Sequence, residues 1–495
     1  MNEGVENSVD YVNNSPEEPC PSPPLQNALT LLLALILALL YRAVFSLEHF
    51  GCYGPGIGVP VFVALYFGAV FLVLGHRAKF SPNAVLLLAV SMVLALFCAG
   101  SALSGLTILN CFLILFTAAG ATFLLSGHSR TTLAQAAFLP GTVSLSCRAL
   151  FTRIHRPFRL LSRTETGPRG APIFLAALIS LPLLAVVLAL LTSADAVFNS
   201  LFATLGEPLW NISPGRILWA LLRTLVPALL IASGLYYIAE PPASPKSCGH
   251  KKHPAPLYFL LPTVLLDMIY LLFCAIQIRY LFGGENAAAM AGSWAEYARE
   301  GFFQLVAVAM INLSLCLFGS HKECFNGNSG KMLRLANALL LLLTCIILAS
   351  AARRMHLYIL AYDLSVLRLM TLWAMLAILA GLLAAGWKLF RPNFSFFQVF
   401  APFVLASWCL FCLIGPGRIV ANYNVDRYIN STYTQTLDLN YLTDLGPAAL
   451  PALYKLRDIP DIPEDISPAI QAICRDMENS SHWANWKFTF LFRED

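Results

Sequence analysis

QNALTLLLALILALLYRAVFS, residues 26–46, holds one charged side chain, Arg42, in 21 positions. A helix rises about 1.5 Å per residue, so such a run measures about 30 Å, the thickness of a bilayer's hydrocarbon core. Ten more runs of this kind follow, at approximately 57–75, 83–98, 102–126, 171–192, 217–239, 257–278, 301–319, 335–352, 367–387 and 398–415. The whole chain agrees: of its 495 residues 58% are hydrophobic and 12% charged, against roughly 25% charged in a soluble domain. One water-soluble core could not hide that much apolar surface. The expected fold is all-α, a polytopic transmembrane helical bundle of about eleven helices with a small extracytoplasmic C-terminal cap.

Composition divides the chain. Residues 1–25 are acidic and Pro-rich, with SPEEPCPSPP at 15–24, and read as a disordered cytoplasmic tail rather than a signal peptide, which starts with a basic region. Residues 26–126 hold helices 1–4, 127–170 a basic cytoplasmic loop, 171–415 helices 5–11, and 416–495 the region beyond the last crossing. The 13 cysteines are an odd number, and most lie inside apolar runs, where they read as small packing residues.

Lys and Arg set the orientation. With the N-terminus in the cytoplasm, Arg77, Lys79, seven arginines of 127–170, Lys246, Lys251, Lys252, Lys322, Lys331, Arg334, Lys388 and Arg391 all fall inside. Arg216, Arg279, Arg299, Arg353 and Arg354 fall outside. The expected home is the inner or plasma membrane, with the C-terminus extracytoplasmic. Arg353 and Arg354 strain this arrangement.

In the basic loop, residues 143–163 project as an amphipathic helix. Val143, Cys147, Leu150, Phe151, Ile154, Phe158 and Leu161 share one arc, and Arg148, Arg153, Arg156, Arg159 and Arg163 lie opposite. That pattern suits a membrane surface with anionic lipids at the cytoplasmic face, with a kink at Pro157. Orientation anchoring is the plainer use of the same charges, and docking of a protein partner the sharper one. No nucleic-acid-binding fold accompanies the arginines.

Asp267 sits mid-run in LLPTVLLDMIYLLF (260–273), where an ionisable group is costly and must be neutral, paired or beside a polar cavity. Arg223 lies in the preceding run at a depth that differs by about 7–8 Å by helical rise, a gap an arginine side chain nearly closes, and an Asp267–Arg223 pair is expected if the two helices are neighbours. Asp195, Arg299, Glu300, Arg353, Arg354, Tyr362, Asp363 and Arg368 gather at run ends on the expected outer side, where they line a vestibule or simply mark the interface. Cys248, His250 and His253, with His321 and Cys324 elsewhere, do not read as a metal site, because Lys251 and Lys252 would repel a cation. No P-loop, nucleophile elbow, HExxH or dinucleotide fingerprint occurs, so no cofactor is expected. Beyond 416 the chain turns polar, with short helices broken by Gly446, Pro447 and Pro451, then Trp483, Trp486, Phe488, Phe490 and Phe492 suited to a membrane surface.

Five stretches carry a resemblance: SADAVF (193–198), QIRYLFGG (277–284), EYAREGFFQLVAVAMINL (296–313), RRMHLYILAYDLSVLRL (353–369) and NVDRYINSTYTQTLDLNYLTDLGPAALPAL (424–453). They resemble an uncharacterised bacterial family of multi-pass membrane proteins, domain of unknown function 4173, related to domain of unknown function 4153. The resemblance covers most of the chain beyond about 170 and is weaker before it. Asp363 departs from the family's usual glycine, and Ala448 stands where the family often has an acid, so no catalytic carboxylate carries over to that position. The resemblance implies architecture and an envelope home, with no established activity. Its candidate positions here are Tyr297, Arg299, Glu300, Arg354, Tyr358, Arg368, Asn424, Arg427, Asp438 and Tyr441.

Three functions fit. The first is a non-enzymatic envelope component that senses, scaffolds or regulates through a protein partner in the envelope or cytoplasm. The second is a transporter or lipid flippase-like protein using Asp267, although no internal repeat or broken helix pair marks a transporter. The third is a membrane enzyme acting on a lipid or cell-wall precursor at the outer face, with Glu300 or Asp438 as acid or base.

Overall fold

The computed structural model describes residues 24–45, 55–101, 103–129, 131–154, 156, 214–241, 257–281, 302–319, 327–430, 437–457 and 466–479. These form helices, with no strand among the described residues. Apolar runs of bilayer length explain most of them. Four come first: α1 (Pro24–Phe45), α2 (Gly58–Leu74), α3 (Pro82–Gly100) and α4 (Ser104–Leu125). The third run is longer than its apolar core suggests, because Ser81 accepts from the Ala84 N–H at 3.2 Å and Pro82 opens the helix.

In the basic loop, α5 spans Phe138–Thr152. It starts five residues before the expected amphipathic helix and ends before its arginine-rich half. Then come α6 (Pro214–Ala239), α7 (Leu257–Leu281), α8 (Phe302–Gly319), α9 (Gly327–Tyr362), α10 (Val366–Phe390) and α11 (Phe396–Leu413). The polar end gives α12 (Pro416–Asn430), α13 (Leu439–Asp444), a 3₁₀ turn at Gly446–Ala449, α14 (Leu450–Arg457) and α15 (Ile466–Asn479). The chain breaks at Gly446 and Pro447 as expected, whereas Pro451 is absorbed in the first turn of α14.

Among the described residues, seven helices are long and apolar enough to cross a membrane: α1 to α4 and α9 to α11. Shorter apolar stretches lie in α6, α7 and α8, at Arg223–Ala239, Phe259–Ala275 and Val306–Phe318. The expected crossing at 171–192 lies outside the described residues. α9, at 36 residues, is far longer than the crossing expected at 335–352.

Two hydrophobic cores organise the bundle. One joins α1 to α6 with Trp408, Cys409 and Cys412 of α11. The other joins α8, α9 and α10 with α12 to α15. α7 packs on α9 and more lightly on α8, around Cys274, Leu343 and Ile347. α11 links the cores. Its Trp408 Nε1 donates to Asn110 Oδ1 of α4 at 2.9 Å, and its ring lies 4.6 Å from that of Trp373 on α10.

The α3–α4 hairpin gives the molecule two ends. At one, the Lys79 N–H bonds the Leu125 carbonyl at 2.8 Å. At the other, Gly417 of α12 comes so close that a Cβ there would lie 3.2 Å from Leu103 Cδ1 and 3.1 Å from Ala448 Cβ. Helices of this length set the ends about 30 Å apart.

Candidate functional site

At the Gly417 end, α9 and α10 meet in a three-residue turn, and the polar C-terminal helices close over it. Asp363 takes φ 65°, the one non-glycine residue with positive φ among those described. Left-handed backbone favours glycine and is tolerated by Asp. Ser365 starts α10 by accepting from the Arg368 N–H at 3.3 Å.

Asn424 of α12, which is buried, accepts from the Leu364 N–H through Oδ1 and donates through Nδ2 to the Leu364 carbonyl, both at 2.9 Å. Arg427, one turn on, donates through Nη1 to the Ile359 carbonyl at 3.1 Å and to Asp363 Oδ1 at 2.8 Å, and through Nη2 to the Leu360 carbonyl. These are last-turn carbonyls of α9, which have no partner within the helix. Arg368 donates to the Tyr362 and Asp363 carbonyls, with its Cζ 4.2 Å from the centre of the Tyr358 ring.

Tyr441 Oη accepts from the Val366 N–H at 2.9 Å. Burial pushes its hydroxyl up, so it serves as a neutral phenol. Asp438 Oδ1 accepts from the Tyr441 N–H at 2.9 Å and caps α13. Six of the candidate positions, Tyr358, Arg368, Asn424, Arg427, Asp438 and Tyr441, thus come together in one joint, and Arg354 is buried nearby in α9. Most of the bonds go to backbone, so the arrangement fixes helix ends. Tyr297, Arg299 and Glu300 lie outside the described residues.

The Lys79 end is tied differently. Arg153 and Arg156 both pair with Glu240, just beyond α6. Ser233 of α6 accepts from the Arg153 N–H at 3.2 Å and donates to the Ala149 carbonyl at 2.8 Å, which secures the end of α5. Arg77 donates to the Ala239 carbonyl at 3.3 Å. His128 packs against Tyr237 with ring centres 4.9 Å apart and planes tilted by 40°, and its Nδ1 is 3.0 Å from Ser126 Oγ. Burial holds His128 below its ordinary value, opposed by the Ser126 hydrogen bond and the charge of Glu240.

Glu240 follows a helix C-terminus, where a negative charge is unfavourable, and the two guanidiniums offset this. Of the arginines expected at a lipid surface, Arg153 and Arg156 therefore face Glu240. Arg148 is exposed, and Arg159 and Arg163 lie outside the described residues.

Between the ends, α7, α8 and α9 share a polar seam. Tyr270 Oη donates to Asn312 Oδ1 at 3.0 Å, Asn312 Nδ2 donates to Thr344 Oγ1 at 3.0 Å, and Thr344 donates to the Leu340 carbonyl at 2.6 Å. Asp267, one turn before Tyr270, is 4% exposed, and its Oδ1 has no hydrogen-bond partner. Asn337, two turns before Thr344 on α9, is 1% exposed with neither amide atom bonded. The expected Asp267–Arg223 pair is not made. α6 packs on α1, α2 and α5, while α7 packs on α9 and α8, so the two residues belong to different groups of helices.

Among the described residues no three His, Cys, Asp or Glu side chains are placed to hold a metal ion. The runs around Cys248, His250 and His253, and around His321 and Cys324, lie outside them. Ser365, Glu240, Ser233, Asn312 and Thr344 were not among the expected site residues. Only Ser365 carried a local signal, a Ser at the start of an apolar run.

Residues 84–456 match the model of a family described as Domain of unknown function (DUF4153). The chain belongs to that family. The DUF4153 match runs from α3 into α14, so it contains Glu240, Asp267 and every described residue of the α9–α10 joint. It also starts well before residue 170, where the likeness in the sequence fades. No curated protein and no solved structure matches.

Proposed function

We propose that this DUF4153 member is a non-enzymatic component of a bacterial inner or plasma membrane that senses, scaffolds or regulates through protein contacts, with its C-terminal helices on the extracytoplasmic side. The observation that carries the reading is the joint itself. Asn424, Arg427, Arg368 and Tyr441 spend their polar groups on the backbone of the α9–α10 turn, which makes the C-terminal helices a fixed platform on the bundle. Asp438 is engaged as a helix cap, which weakens its use as an acid or base. On α5, Leu139, Val143 and Phe151 are exposed beside Arg148, which supports contact with anionic lipid at the other end.

Native mass spectrometry of the full chain released gently from its own membranes tests the reading. The expected result is a stoichiometric protein partner that is retained by Asp438→Asn and lost from Arg427→Ala at equal abundance. A bound lipid or solute with no protein partner would overturn it, as would loss of function from Asp438→Asn alone. A second reading, a transporter or flippase-like protein, is supported by one observation, the buried and unbonded oxygen of Asp267.

A further inference from the structure

We propose that Asp267 is a proton-binding site inside the bundle, its carboxyl holding an exchangeable proton. The inference stands apart from both readings above, because it requires neither a protein partner nor a transported solute.

The argument is an account of donors. On the buried stripe of α7, Thr263 gives its hydroxyl hydrogen to the Phe259 carbonyl at 2.8 Å, and Tyr270 gives its own to Asn312. Across the seam the Asn312 amide is spent on Thr344 and the Thr344 hydroxyl on Leu340. None of these donors reaches Asp267 Oδ1. The opposite face of α7 offers Leu261, Leu265, Met268, Ile269 and Leu272, all exposed on the bundle surface, so the carboxyl points into protein and away from lipid.

The titratable and charged groups of the packed helices give no counter-charge either. They are Tyr258, Tyr270, Cys274, Arg279 and Tyr280 on α7, with Arg279 more than three turns along the helix from Asp267, Cys316 on α8, and Lys331, Arg334, Cys345, Arg353, Arg354, His356, Tyr358 and Tyr362 on α9. No ion pair with Asp267 forms among the described residues, and the two arginines at its outer end lie far along α9. An ionised carboxyl here would hold its charge with Oδ1 buried and unbonded. One proton removes the charge and turns the bare oxygen into a donor. The seam is not a proton wire, because the Asn312 amide cannot pass a proton on. The site is a terminus.

Dicyclohexylcarbodiimide, an apolar reagent that adds across a carboxylic acid only in its protonated form, tests this on the unaltered full chain in its membranes. Peptide mass spectrometry should find the adduct on Asp267 at neutral pH, while exposed Asp426 and Asp444 stay unlabelled. The labelling rate should fall about tenfold per pH unit once the group titrates, between about pH 6 and about pH 9. Asp267→Asn must lose the adduct and Asp267→Glu regain it. Absence of label on Asp267, or a rate indifferent to pH over that range, would overturn the proposal. Protection by Na⁺ but not by choline at fixed pH would also overturn it, in favour of a metal-cation site.

Discussion

The two ends of the α3–α4 hairpin are held by different chemistry. At the Glu240 end one carboxylate stands between two guanidiniums, whose side chains are 29% and 24% exposed. At the Asp363 end, an amide and two guanidiniums grip backbone carbonyls and N–H groups, and the ion pair of Arg427 with Asp363 is an accessory. Partly exposed charge pairs weaken with salt, and the two Asn424 bonds to the buried Leu364 backbone do not. One end is thus held by a condition-dependent latch and the other by a fixed joint.

The comparison breaks most visibly at Asn424. Asn424→Ala strands both polar groups of the buried Leu364 peptide and should cost about 2–4 kcal/mol, read as a lower unfolding midpoint in detergent that is the same at low and high salt. Glu240→Gln leaves two guanidiniums without their carboxylate and should cost about 1–3 kcal/mol. That loss should shrink as ionic strength rises from about 0.05 to 0.5 M. If both variants respond to salt alike, the distinction between latch and joint fails.

His128 adds a pH dependence to the latch end only. Burial lowers its folded-state value, so the unfolded chain binds the proton more readily. The neutral ring therefore contributes stability above about pH 6.5, and that contribution is lost as pH falls through the lower folded value. The unfolding midpoint should drop between about pH 7 and pH 5, and His128→Gln should flatten the drop. The smallest effect belongs to Asp363→Gly. Relief of the left-handed backbone, about 1 kcal/mol, offsets loss of a half-exposed ion pair of similar size, so the midpoint should hardly move.

The bundle was legible because membrane length and apolar composition act locally: each run of about 20 residues declares itself. The roles of the site residues were not, because they depend on partners far along the chain. A helical projection of 143–163 sees arginines opposite an apolar arc, and has no knowledge of Glu240. Matching Asp267 to Arg223 by depth assumed that successive helices are neighbours, and α7 packs instead on α9. Of the joint residues, Asn424, Arg427, Asp438 and Tyr441 were singled out by likeness alone, and Asp363 and Arg368 also by their place at run ends. That Asn424 holds a peptide bond, and that residue 363 needs left-handed backbone, appears only once the α9–α10 turn is seen.

α9 carries one more consequence. Thirty-six residues make a rod of about 54 Å, against a hydrocarbon layer of about 30 Å. Fitting it by tilt alone would need roughly 56°, beyond the 0–40° that membrane helices adopt. Part of the rod must stand clear of the bilayer, and Arg353 and Arg354 belong to its final third, so they need not oppose the orientation set by the other basic residues. The rod also bears the joint at its tip and Thr344 near its middle, without a proline between them, so the C-terminal platform and the polar seam share one continuous helix.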